Sequence, residues 1–253
     1  MLETKRRLFW IIVSLSFFPG ARSFAQNSLT SPEVSISLEK DTITEHEPVI
    51  VDIGIQSPPS TSLDFDPGYE WENVEIKVAD PHGHIWTRPR RVTQEGMKFS
   101  KAVHVDAGAR ETISLVASDW FNFEEDGIYQ LEVALRGSLA AGVTANLALQ
   151  VEPRNEEALK ATCSSLLSRV NDSQSLSASL VAVKALSGIN DPLAVAYLAE
   201  AMKRREFVAL VIGALARLNT QEAVNALIAA SRSPDPETSS QARSALASLR
   251  HPN

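Results

Sequence analysis

"ALARLNTQEAVNALIAA", residues 214–230, is preceded twenty-nine positions earlier by "ALSGINDPLAVAYLAEA", residues 185–201. The two stretches agree at Ala185 and Ala214, Leu186 and Leu215, Asn190 and Asn219, Ala194 and Ala223, Val195 and Val224, Leu198 and Leu227, and Ala201 and Ala230. Six of these seven pairs are apolar, and they flank a short polar break at helical spacing. A third, partial copy begins at Ala245 and Leu246 and ends with Leu249, where the earlier copies have Ile189 and Leu218. One helical hairpin cannot bury its apolar face alone, whereas near-copies set side by side can. The repetition therefore predicts stacked helical hairpins.

Around these phrases the same rhythm continues. Segments 156–170, 175–188, 192–203, 207–218, 221–232 and 236–249 each carry a helical apolar stripe, separated by "NDS", "GINDP", "NT" and "SPDP". Pro192 and Pro236 each follow an Asp and suit a first helical turn. Six helices with short joints give three antiparallel hairpins, the first of which, 156–188, matches the repeated phrase poorly and suits a capping unit.

N-terminal to "VEPRNEEAL" (151–159) the period changes from three and four to two. "VSISL" (34–38), "PVIVDIGI" (48–55), "VEIKVAD" (74–80), "GHIWT" (83–87), "KAVHV" (101–105), "TISLVAS" (112–118), "IYQLEVAL" (128–135) and "ANLALQV" (145–151) all alternate, with turn residues between them. Seven or eight short strands predict an antiparallel sandwich. In "EDGIYQLEV", Asp126 and Gly127 would turn the chain and Tyr129 would begin a strand whose Leu131, Val133 and Leu135 face inward. This resembles the tyrosine corner of immunoglobulin-like folds.

The C-terminal pattern, "AL" followed by an apolar–Asn joint and "AV" with a spaced Leu, resembles HEAT-like repeats of the bacterial phycobilisome-lyase type over residues 156–250. The fold class expected is thus an all-β immunoglobulin-like sandwich (26–152) followed by an all-α HEAT-like helical-hairpin solenoid (153–253). The resemblance implies protein–protein binding on the solenoid face. No residue of a lyase site carries over.

The N-terminus has its own chemistry. Lys5, Arg6 and Arg7 precede the apolar run "LFWIIVSLSFF" (8–18), Pro19 and Gly20 break it, and Ser23 and Ala25 are small. Residues 1–25 are expected to be a signal peptide cut between Ala25 and Gln26, or kept as an anchor, which makes the protein periplasmic or extracellular. An eleven-residue helix rises only about 16 Å, about half a bilayer core. No insertion into the membrane is expected after cleavage. With one cysteine, Cys163, no disulfide can form within the chain.

Net charge is −7, which argues against general nucleic-acid binding. The charge is uneven. Residues 26–152 hold 9 Lys or Arg against 21 Asp or Glu, net −12, while residues 153–253 hold 11 against 9, net +2.

Chemistry is sparse. Asp80, His82 and His84 in "DPHGH" fit a turn better than a metal site, and a third ligand would have to come from His104 or a distant acid. Cys163 sits in a Leu-rich helical stripe without a neighbouring His. The chain has no nucleophile elbow, zincin motif or phosphate-cradling loop. No enzyme activity, metal or cofactor is expected.

Two surfaces are candidates for a protein partner. One is the acidic-aromatic loop "SLDFDPGYEWENVE" (62–75), with Phe65, Tyr69 and Trp71 among Asp64, Asp66, Glu70 and Glu72. The same loop would otherwise be a solvated cap or a calcium ligand set. The other is the basic cluster Lys203, Arg204 and Arg205 at a helix joint. The function expected is an exported, non-catalytic interaction or scaffold protein. The alternative is a protease-inhibitor-like or enzyme-accessory module, since the 74–87 hairpin with "DAGARETISL" and "EEDGIYQLEV" weakly resembles immunoglobulin-like bacterial protease inhibitors.

Overall fold

A computed structural model describes residues 31–65, 73–87, 102–136, 142–172 and 175–250. From Ser31 onward they belong to one compact unit. The expected signal, its cleavage residues Ala25 and Gln26, and the loop aromatics Tyr69 and Trp71 lie outside the described residues.

The N-terminal part is sheet. Its strands are β1 (Glu33–Leu38), β2 (Thr42–Thr44), β3 (Ile50–Gln56), β4 (Leu63–Phe65), β5 (Val74–Ala79), β6 (Ile85–Thr87), β7 (Val103–Val105), β8 (Arg110–Val116), β9 (Gly127–Leu135) and β10 (Thr144–Glu152). They form a sheet ordered β1-β3-β8, a second ordered β2-β10-β9-β5-β6, and a β4-β7 pair. Two three-residue strands, β2 and β4, go beyond the sequence expectation, because three residues carry too little alternation to stand out. β2 also departs from the antiparallel expectation by running parallel to β10, with Thr42 opposite Gln150. The chain leaves β1 in one sheet and enters the other within three residues, 39–41.

Alternation places the sheet core. Val74, Ile76 and Val78 of β5 stand opposite Leu135, Val133 and Leu131 of β9, and all six are buried. From the first sheet, Val51, Ile53, Ile55 and Leu115 join the same cluster. Tyr129 is buried there, and its hydroxyl accepts a hydrogen bond from the backbone N–H of Glu125 at 3.3 Å. Gly127, at φ +135°, precedes it, where a Cβ would come within 2.7 Å of Pro81. Glycine at this turn is thus required by both backbone and space.

The C-terminal part is helix: α1 (Glu156–Asp172), α2 (Leu176–Gly188), α3 (Ala194–Ala201), α4 (Val208–Leu218), α5 (Gln221–Ala230) and α6 (Pro236–Arg250). All six fall on the expected segments. Ser175 and Thr220 cap α2 and α5 through their side chains, and Pro236 takes the first position of α6. Pro192 instead sits in a turn just ahead of α3, which shortens that helix. The repeated phrase maps onto equivalent burial. Ala185, Leu186, Ala194, Val195, Leu198 and Ala201 are buried, and so are all their counterparts except half-buried Val224.

Helices and sheets are locked together. Ile50 and Val116, paired across β3 and β8, belong to the helical core cluster. The buried carboxylate of Glu47 accepts from Lys40 Nζ at 3.0 Å, from the Thr44 N–H at 2.9 Å and from the Thr162 hydroxyl on α1. Thr44 Oγ1 donates to the Pro153 carbonyl at 2.8 Å and accepts from the Asn155 N–H at 2.7 Å. Arg154 pairs with buried Asp191 at 2.6 Å, and Arg169 with Glu39 at 2.9 Å. These contacts fix α1 against β2 and the turns on either side of it, and the joint after α2 against the segment after β10. Among the described residues no helix is long and apolar enough to cross a membrane.

Candidate interaction groove

Between β8 and α2 lies a groove of about 410 Å³. Six consecutive residues of β8, 111–116, line one wall. Strand side chains alternate between faces, so an unbroken run of lining residues means that the groove follows the strand's edge. β8 ends its sheet, and among the described residues only β3 pairs with it. A free edge presents unpaired N–H and C=O groups.

The opposite wall comes from Ser177, Leu180, Val181 and Lys184 of α2. Their spacing is that of one helix face, and it differs from the face that buries Ala182, Val183, Ala185 and Leu186. Leu180 is exposed, Val181 and Ile113 are half-buried, and Asp119 and Trp120 close one end. Asp119 is exposed as a residue, yet loss of hydration at its carboxyl raises its pKa. The charges of Lys184 and Arg217 oppose that rise without cancelling it. No ion pair engages Lys184 among the described residues. A second cleft of about 490 Å³ lies beside α1, but its buried acid, Glu47, is already saturated by its partners.

The candidates from sequence are dispersed. Phe65 is buried in the sheet core, so its ring is not a contact surface. Neighbouring Asp64 hydrogen-bonds His104 at 2.7 Å, and this bond raises the imidazole pKa. The rest of the loop lies outside the described residues. The basic cluster is largely engaged within the chain. Arg204 donates to the Val170 carbonyl at 2.7 Å, pairs with Glu206 at 3.0 Å and lies over the Phe207 ring. Lys203 pairs with Glu200 at 2.6 Å, and Arg205 is exposed. Arg204 thus supports a helix C-terminus, where orphan carbonyls favour a cation.

The histidine turn is also accounted for locally. His84 bonds Asp80 at 2.9 Å, and His82 pairs with Glu125 at 3.0 Å. Among the described residues no group of three or more His, Cys, Asp or Glu could hold a metal. Cys163 is fully buried, and desolvation pushes its thiol pKa up to about 12, which suppresses thiolate chemistry. The sequence marks "TISLVAS" as a strand but says nothing of its place in the sheet. The groove is therefore not legible in the sequence.

No family model matches the chain, and no curated protein matches it. The resemblance of residues 156–250 to HEAT-like repeats is therefore not upheld. The shared positions are buried Ala and Leu together with joint residues, which any closely packed pair of helical hairpins requires. Solved structures with local likeness include a β-glucosidase from Listeria innocua bound to isofagomine, at 11% identity and TM-score 0.29, covering 49% of this chain and 16% of that one. Another is an alkylpurine DNA glycosylase from Pseudomonas fluorescens bound to DNA with an abasic-site analog, at 13% identity and TM-score 0.28, covering 48% and 31%. A third is a sporulation control protein from Bacillus subtilis, at 11% identity and TM-score 0.27, covering 56% and 55%. At such scores none of them assigns a fold or an activity to this chain.

Proposed function

We propose that the chain is an exported, non-catalytic protein-binding module. In this reading the two larger sheets pack as an immunoglobulin-like sandwich, and the helical hairpins stack against it as a short array. One core cluster fed by both sheets and the Tyr129–Glu125 bond support the sandwich. Matched burial of the two phrases supports the stacking. The observation that carries the binding function is the groove between β8 and α2, where a strand edge faces exposed Leu180 and half-buried Lys184, whose charge acts on the Asp119 carboxyl.

The test is site-specific photo-crosslinking in an envelope extract, with the probe at Leu180, at exposed Ile228 on α5, or at Lys203. A discrete adduct from position 180 alone supports the groove. Adducts only from 228 or 203 move the function to the helical face or the basic joint.

A second reading, the inhibitor-like or accessory module, has one observation in its favour. On the β5–β6 hairpin Ile85 is 71% and Trp86 61% exposed, next to the turn holding His82 and His84. Dose-dependent suppression of secreted proteases, lost in Trp86→Ala, would favour it over the groove.

A further inference from the structure

We propose that the end of the second sheet where β5 turns into β6 docks a protein segment that presents an apolar side chain flanked by Lys or Arg. The inference rests on the protein-binding reading but not on the groove, and it specifies the partner chemistry of a separate surface.

Three large apolar side chains are left in solvent there. Ile85 is 71%, Trp86 61% and Ile128 56% exposed. Register places two of them on one face. Ile85 stands opposite Ala79, Ala79 stands opposite Gln130, and Ile128 is two residues from Gln130 on β9. Paired residues share a face and alternate residues return to it, so Ile85, Ala79 and Ile128 all point outward from the core. Trp86 stands opposite buried Val78 on β6, the last strand of the sheet. The turns beneath are held in place. Asp80 accepts from the His82 and His84 N–H groups at 2.9 and 2.8 Å, Pro81 packs on Gly127, and His82 pairs with Glu125 at 3.0 Å. The β5–β6 turn and the turn before β9 therefore present one preorganised surface. A fixed aromatic with aliphatic neighbours is what anchors a protein interface at low entropic cost.

Charge selects the partner. Asp80, Glu124, Glu125 and Asp126 lie on the same two turns. His84 and His82 pair with Asp80 and Glu125, so Glu124 and Asp126 keep the balance negative even when both imidazoles are protonated. Glu124 accepts a hydrogen bond from Asn190, and no ion pair engages it or Asp126 among the described residues. The described cations on the outer face, Lys77 and Arg136, are taken up by Glu132 and Glu75. Beyond the patch, residues 26–152 are net −12. This field draws a cationic segment toward the patch and repels anionic lipid headgroups. Apolar contact at Trp86, Ile85 and Ile128 then supplies affinity, while the carboxylates supply orientation and speed of encounter.

The experiment uses the full chain and a phage-displayed library of random dodecapeptides, followed by synthesis of the enriched sequence. Enrichment of an apolar residue flanked by Lys or Arg is expected. Affinity should fall about tenfold or more for Trp86→Ala and several-fold for Asp126→Lys, both at exposed positions where folding tolerates change. Association with the unaltered chain should slow as salt rises, which tests the charge argument without any variant. Neutral or acidic enriched sequences, binding indifferent to Trp86→Ala, or association indifferent to salt overturns the proposal. So does binding of anionic phosphatidylglycerol vesicles in place of peptides, which assigns the patch to a membrane. In each of these cases a crosslinked adduct from position 180 leaves the binding reading intact. No enrichment, together with no adduct from positions 180, 203 or 228, overturns both.

Discussion

The two near-copies, 185–201 and 214–230, share a buried skeleton and differ at their joints. In the second copy Asn219 adopts a left-handed conformation, φ +46°, and ends α4 with its N–H on the Leu215 carbonyl. In the first copy α2 ends one residue earlier, at buried Ile189, whose N–H bonds the Leu186 carbonyl. Its equivalent Asn190 is freed to reach Glu124 on the sheet side at 3.5 Å. At the next position Thr220 caps α5 in the second copy. In the first, Asp191 accepts from the Leu193 N–H at 2.9 Å and also holds Arg154. The shared residues make hairpins. At the joints, Asn190 and Asp191 tie the first hairpin to Glu124 and Arg154, whereas Asn219 and Thr220 serve the ends of the second hairpin's own helices.

The largest effect should fall on what the copies share. Leu186→Ala and Leu215→Ala are each expected to cost about 3 kcal/mol, read by urea unfolding, because both side chains are fully buried. A large inequality between them would break the correspondence of the copies.

The joints should then separate. Asp191→Ala is expected to cost about 2 kcal/mol, since it removes a buried acceptor that serves a cap and an ion pair together. Thr220→Ala should cost about 1 kcal/mol, the value of a cap alone. Acid sharpens this contrast. Burial would raise the Asp191 pKa, but Arg154 and the Leu193 N–H hold it below the ordinary carboxylate value. Its folded-state pKa is thus the lower one. Its contribution is present above the unfolded value of about 4 and is lost as pH falls through the folded one. As pH falls below about 4, the wild type should lose stability faster than Asp191→Asn.

A smaller split is expected at the shared asparagine. Asn219→Ala should cost about 1 kcal/mol, because alanine lacks the short polar side chain that lets asparagine adopt the left-handed conformation, and Asn219→Gly should be tolerated. Asn190→Ala should change stability by less than about 0.5 kcal/mol. Equal losses at both sites would mean that the joints are alike in solution.

The smallest effect concerns Asp119 in the groove. Its raised pKa means that the folded state holds the proton more tightly. Its influence on stability therefore becomes less favourable as pH rises from the ordinary carboxylate range through the folded value. Asp119→Asn should flatten that slope in thermal melts followed upward from about pH 4.

Local pattern determined a great deal by itself. The period of two marked eight of the ten described strands and the period near 3.6 marked all six helices, because half-buried elements must repeat their apolar residues at their own pitch. The Asp126–Gly127–Tyr129 turn was equally legible, since φ +135° demands glycine and a buried phenol demands a partner. Tertiary structure alone decided that β8 is a sheet edge, that Phe65 faces the core, that Arg204 serves a helix end, and that the two identical asparagines act differently. These facts depend on which element comes to lie beside which. Hydrophobic periodicity records that a face is buried, but not what buries it.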